Sequence, residues 1–175
     1  MNIIIAGVGG QGSILAAKIF GSLYLARGFD VKVNEVHGMS QRGGSVVTMV
    51  RAGDKVYSPL VMPGGADLLI GLEVTETARC LRWLSPNGKT VVSSWRIPIQ
   101  GDESGPCILL GEPQIDAHGL AAKAGSPRCE NTVLLGAASK LLDFTEEEWE
   151  QAIRENVKPS TLDVNMKAFK AGRDL

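Results

Sequence analysis

Between Glu35 and Gly44 the chain reads Glu-Val-His-Gly-Met-Ser-Gln-Arg-Gly-Gly, which sets a carboxylate, an imidazole, a hydroxyl, an amide and a guanidinium within ten residues. The planar donor fork of Arg42 suits a phosphate or a carboxylate. The imidazole of His37 can accept or donate a proton, although an isolated histidine serves more often in structure or at an interface. Gln41 and Ser40 can donate hydrogen bonds to a substrate or to a partner's backbone, or can stabilise their own loop. Glu35 is best read as an anchor of this loop, through Arg42 or nearby amides. Met39 fits either a partner groove or the core.

A second loop, Gly7-Val8-Gly9-Gly10-Gln11-Gly12, follows an apolar run and precedes a helical pattern. Gly7, Gly9 and Gly12 have the spacing that permits a tight turn, close approach of a pyrophosphate to the backbone, and close helix–strand packing. Amides at the start of the following helix would then bind a phosphate-bearing ligand. The same glycines also suit a plain βα turn or close contact with a partner protein. A nicotinamide site further needs an acid at the end of the second strand. Glu35, 23 positions after Gly12, meets that spacing, but it runs straight into His37 and the Gln41–Gly44 turn. The candidate catalytic residues are therefore His37, Gln41 and Arg42. The candidate cofactor-binding residues are Gly7, Gly9, Gly10, Gly12 and Arg42.

These loops need a sheet to hold them. Asn2 to Ala6 reads as a buried strand, Ser13 to Arg27 as a helix stopped by Gly28, and Val31 to Val36 as a second strand, giving a Rossmann-like strand–helix–strand unit. Ser45 to Arg51 and Lys55 to Ser58, joined across Gly53-Asp54, predict an antiparallel hairpin. Further strands are expected at Asp67–Leu72, Thr90–Trp95 and Cys107–Leu110. A helix is expected from Glu73 to Leu84, ahead of a turn at Ser85-Pro86-Asn87-Gly88. The last third is helical: Asp116–Ala124, Asn131–Leu142, a helix opened by the Thr145/Glu148 capping box, and a final one opened by the same spacing at Ser160/Asp163. The fold class is thus α/β, with a mostly parallel sheet, a β-hairpin insertion and a helical C-terminal third.

Composition sets the outer bounds. The 175 residues suit one domain, spanning 1–175. Eighteen basic residues against nineteen acidic ones leave a net charge of −1, which gives no general attraction to nucleic acid or anionic membrane. The N-terminus carries no basic leader or long apolar segment, and a cytoplasmic location is expected. Cys80, Cys107 and Cys129 are widely spaced and read as free thiols; they do not suggest an Fe–S cluster, and with His37 and His118 far apart no metal is assigned to the chain.

Taken together, the glycine loop and the His37-Gly38-Met39-Ser40-Gln41-Arg42-Gly43-Gly44 segment resemble the gamma-type domain of 2-oxoacid:ferredoxin oxidoreductases, and within that group the small-subunit branch of indolepyruvate enzymes. The likeness extends through Ala66–Glu73, Asn131–Ala137 and Asn165–Phe169, and so covers nearly the whole chain. The resemblance implies oxidative decarboxylation of a 2-oxoacid, with coenzyme A as acyl acceptor and ferredoxin as electron acceptor. It places thiamine diphosphate and the Fe–S clusters in a large partner subunit. The sequence accords with that division, having neither a Gly-Asp-Gly thiamine-type motif nor clustered cysteines. The chain alone is then inactive. A stand-alone NAD(P)- or flavin-binding oxidoreductase or regulator is the alternative that the glycine loop leaves open.

Overall fold

A computed structural model of the chain describes residues 1–38, 43–98 and 114–175. Its sheet contains β1 (Asn2–Val8), β2 (Asp30–His37), β3 (Ser45–Gly53), β4 (Ala66–Gly71) and β5 (Leu84–Val92), in the spatial order β2-β3-β1-β4-β5. β1, β4 and β5 pair in parallel, whereas β3 is antiparallel to both β1 and β2. Among the described residues four strands therefore share one direction and β3 opposes them, so the sheet is mixed and mostly parallel.

The hairpin differs from the sequence expectation in its partner. β3 turns back on β2 rather than on Lys55–Ser58, which is not a strand, and inserts between β2 and β1. Side-chain chemistry explains this choice. Val46, Thr48, Met49 and Val50 are buried from both faces, as an internal strand requires, whereas β2 alternates valines with Lys32, Asn34 and Glu35 and is only partly covered. Ser85–Gly88 is likewise part of β5 rather than a free turn, with Leu84 already paired to Ala66 across a register shift. The expected strand at Cys107–Leu110 lies outside the described residues.

Strand alternation divides the core. Ile3, Ile5, Val50, Leu68 and Ile70 face α1 (Ser13–Ala26) and the C-terminal helices, while Ile4, Ala6, Met49 and Leu69 face α2 (Val74–Cys80) and the loop carrying Val61. α2 is shorter than expected and tightens into a 3-10 turn at Leu81–Trp83. The remaining helices are α3 (Ala117–Ala124), α4 (Glu130–Ser139), α5 (Glu146–Asn156) and α6 (Leu162–Arg173). Thr145 and Glu148 close the capping box of α5 as expected. The Ser160/Asp163 box does not form: a 3-10 turn at Pro159–Thr161 leads into α6, whose first residue follows Thr161 without a side-chain cap.

Trp149 on α5 is the largest fully buried side chain and packs between Phe20 and Phe169, with ring centroids 5.6 and 5.4 Å away. α4 and α6 cross at Gly136 and Gly172, where a Cβ would strike the carbonyl oxygens of Phe169 and Val133. This crossing fixes the position of the N-terminus of α4 beneath the glycine loop. Among the described residues no helix is long and apolar enough to cross a membrane.

Candidate functional site

β1 ends at Val8, and the chain then turns through Gly10 and Gly12, both with positive φ, into α1. Gly12 occupies the N-cap position and has no side chain with which to cap. The first N–H groups of α1 lack intrahelical acceptors, and the helix dipole makes this end attractive to anions. They border an open cavity of about 450 Å³ lined by Gly9, Gly10, Gly12, Ser13 and Ile14 on one side and by Glu35, His37 and Val46 on the other. The cavity thus gathers the glycine loop and the end of β2.

Hydrogen bonds tie the two loops together. The Gly9 N–H donates to the Gly44 carbonyl at 2.9 Å, and the Gly43 N–H donates back to Gly9 at 3.4 Å. Glu35 lies opposite Thr48 in the β2–β3 ladder and accepts a long hydrogen bond from its hydroxyl, at 3.4 Å. Its expected anchoring by Arg42 falls outside the described residues, as do Met39, Ser40 and Gln41. His37 is exposed, and its Nδ1 lies 3.0 Å from the Gly38 carbonyl oxygen. That contact suits a protonated Nδ1 and leaves Nε2 free to accept. Gly7 does not line the cavity; a Cβ there would lie 2.7 Å from Gln11 Oε1 and 2.9 Å from Leu72 Cβ, which assigns it to loop packing.

The residue that shapes this loop is Gln11. Its Oε1 accepts from the Val8 N–H at 2.8 Å, while its Nε2 donates to the Leu72 carbonyl at 2.9 Å and to Glu130 Oε1 at 3.1 Å. One buried side chain thus joins the ends of β1 and β4 to the first residue of α4. Asn131 adds a second tie by donating from Nδ2 to the Gly12 carbonyl, and its Oδ1 leads through Thr132 to Asn165 on α6. Burial raises the pKa of Glu130, against the opposing effects of Gln11 and His118, whose Nδ1 lies 3.8 Å from Glu130 Oε2. The partners of Gln11 and Asn131 lie far along the chain, so sequence spacing gave no hint of either role. A polar side chain inside a glycine loop is the one local signal that was available.

Among the described residues no group of three or more His, Cys, Asp or Glu side chains could hold a metal ion. Cys80 and Cys129 are free and buried, and burial pushes the Cys80 thiol up to about 11. The functional potential of the described site therefore lies in backbone donors at a helix N-terminus beside a carboxylate and an imidazole.

Residues 2–175 match the pyruvate ferredoxin/flavodoxin oxidoreductase family. The chain belongs to that family. Among its relatives, indolepyruvate oxidoreductase subunit IorB of Thermococcus kodakarensis is 37% identical over 193 residues, covering 98% of this chain and 93% of that one. The IorB subunit of Pyrococcus horikoshii is 38% identical over 188 residues, with the same coverage. The fold also matches the crystal structure of the keto/oxoacid ferredoxin oxidoreductase gamma subunit from Geobacter sulfurreducens, with a TM-score of 0.76, 23% identity, and coverage of 99% of this chain and 96% of that one. The sequence relatives span the glycine loop, the decapeptide and the C-terminal helices of this pyruvate ferredoxin/flavodoxin oxidoreductase family member alike.

Proposed function

We propose that this chain, acting as one gamma-type domain over residues 1–175, is the small subunit of a cytoplasmic 2-oxoacid:ferredoxin oxidoreductase whose substrate is an aryl pyruvate such as indolepyruvate. A 2-oxoacid and coenzyme A give acyl-coenzyme A and carbon dioxide, and the two electrons and one proton released are taken up by two ferredoxins and by solvent. Thiamine diphosphate in a larger partner subunit supplies the carbon–carbon cleavage, and Fe–S clusters there carry the electrons.

The observation that carries this reading is the single cavity uniting the N-terminus of α1, the glycine loop, Glu35 and His37, in a chain aligned almost end to end with IorB subunits. Backbone N–H groups of the glycine loop and of the first turn of α1 hold the pyrophosphate of coenzyme A. Arg42 adds a charged fork to the same anion, and Gln41 donates a hydrogen bond beside it. The thiol-bearing arm passes Ile14 and Val46 toward the decapeptide and the large subunit, with His37 Nε2 on that path as a proton acceptor.

Co-expression and native purification test the assignment. The chain is expected to co-purify with a thiamine- and Fe–S-containing subunit, and its addition to that subunit is expected to restore 2-oxoacid- and coenzyme A-dependent ferredoxin reduction. A chain that stays alone and leaves the reduction rate unchanged would refute it. Saturable binding of NAD(P) by the isolated chain, or a retained flavin absorbance, would favour a stand-alone oxidoreductase or regulator instead.

A further inference from the structure

The two most deeply buried carboxylates among the described residues stand at the start of α2: Glu73, 1% exposed, and Glu76, 6% exposed. A carboxylate taken out of water is costly unless its oxygens find donors. Glu73 is accounted for by the fold. It caps α2 by accepting from the Glu76 N–H at 2.7 Å, and its other oxygen accepts from the Ile97 N–H at 3.1 Å, which fastens the segment after β5 to the end of β4. α2 is thereby capped without the Glu76 side chain.

Glu76 reaches the decapeptide instead. Its Oε2 accepts from the Ser45 hydroxyl, and its Oε1 pairs with Arg79 on the same helix. The Arg79 side chain is 64% exposed, and an ion pair so open to water contributes little stability. An apolar side chain at this buried position would avoid the desolvation cost altogether. The contact with Ser45 is what the carboxylate provides.

Ser45 is the first residue of β3 and follows Gly44 directly, where the decapeptide rejoins the sheet. It lies opposite Val8, the last residue of β1, while Val46 lies opposite His37, the last residue of β2. The start of β3 is thus the spacer between the glycine loop and His37, across two strand spacings or about 10 Å. Two ties hold that spacer. Gly43 and Gly44 bind Gly9 through backbone alone, and Glu76 holds Ser45 through a side chain, from the face of the sheet opposite α1.

We propose that Glu76 is a positioning residue for the oxidoreductase reaction: through the Ser45 hydroxyl it pins the start of β3, and so sets His37 and the glycine loop at a fixed separation without touching a ligand. This rests on the reading of His37 and the glycine loop as parts of one site.

The test uses the full chain and its complex with the large subunit. Ser45 is exposed, so Ser45→Ala does not threaten the core. In the chain alone, that change should speed hydrogen exchange at the Gly9 and Gly43 amides roughly tenfold, as loss of one charge-assisted hydrogen bond does, and Ser45→Thr, which keeps the hydroxyl, should restore slow exchange. In the complex, Ser45→Ala and Glu76→Gln should each lower kcat for 2-oxoacid-dependent ferredoxin reduction roughly tenfold, with the KM for the 2-oxoacid little changed. The double variant should be no slower than the slower single one, because both cut the same contact, and Ser45→Thr should recover the rate. Gly28→Ala, beyond the far end of α1, is the stability control and should leave kcat unchanged. Losses that multiply in the double variant, or a wild-type rate from Ser45→Ala in an active complex, overturn the positioning role. Unchanged exchange in Ser45→Ala overturns it whatever the complex does, whereas a wild-type complex without 2-oxoacid-dependent reduction refutes the small-subunit reading itself.

Discussion

Asn131 Nδ2 donates to the carbonyl of Gly12 at 3.0 Å, and the same nitrogen lies 2.6 Å from where a Cβ on Gly12 would stand. The two residues are 119 positions apart, so this contact clamps the first turn of α1 to the start of α4. It also makes the glycine obligatory twice over, through its φ of +80° and through lack of space.

Gly12→Ala should therefore cost about 3 kcal/mol or more, combining left-handed strain with a contact that must be relieved. Gly28→Ala is the control: its φ is +82°, but nothing lies within 4 Å, so only the conformational cost of about 1–2 kcal/mol is expected. Chemical denaturation of both variants measures the difference. Adding Asn131→Ala to Gly12→Ala should recover part of the excess, and equal losses in the two single variants would show that Asn131 does not crowd the site.

Acid stability should report on Glu148. Its carboxylate receives two hydrogen bonds from Arg27, at 2.7 and 2.8 Å, and one from the Thr145 N–H. Led by the Arg27 contact, these hold its pKa down to about 2 from an ordinary 4.5. A depressed carboxylate contributes stability that is complete above the unfolded pKa and is lost as pH falls toward the folded one. The Tm of the wild type should therefore drop more steeply than that of Glu148→Gln between about pH 4.5 and pH 2, and the two curves should converge at the acid end. Parallel curves across that interval would contradict the assignment.

The α4–α6 crossing supplies a third expectation. Gly172→Ala would press a methyl group into the Val133 carbonyl, and Gly136→Ala would do the same at Phe169. Backbone cannot rotate aside as a side chain can, so each change should cost about 3 kcal/mol or more and splay the two helices. Because Asn165 on α6 ends the hydrogen-bonded path from Gly12, ligand affinity at the glycine loop should weaken as well. Denaturation and ligand titration of the same variants check both parts.

What the sequence disclosed was local. The Gly7–Gly12 turn between a strand and a helix, and the Thr145/Glu148 box, depend on neighbours within a few residues, and both stand in the structure. The place of β3 between β2 and β1 depended on which strand could tolerate burial on both faces, a comparison between segments rather than within one. Ser160/Asp163 had the capping spacing, but Pro159 favoured a 3-10 turn that used those residues differently. At the site, the meeting of Glu35 and His37 with the glycine loop followed from both lying at strand ends. Gln11 was hidden because its partners Leu72 and Glu130 are 61 and 119 residues away.

The decapeptide is tested through Arg42 and His37, which the proposed function uses differently. In the proposed function Arg42 would address an anion held also by backbone amides, so Arg42→Ala should raise the KM for coenzyme A in the assembled complex roughly tenfold and change kcat little. In that proposal His37 takes up a proton, so His37→Gln should lower kcat while the KM moves less. The Gly9–Gly44 hydrogen bond joins backbone to backbone, so neither substitution removes the tie between the loops. Subunit assembly should therefore persist in both variants, as native mass measurement would show. An unchanged KM for coenzyme A in an intact Arg42→Ala complex would remove Arg42 from the anion site, and an unaltered kcat in His37→Gln would leave that histidine a structural role at the rim of the cavity.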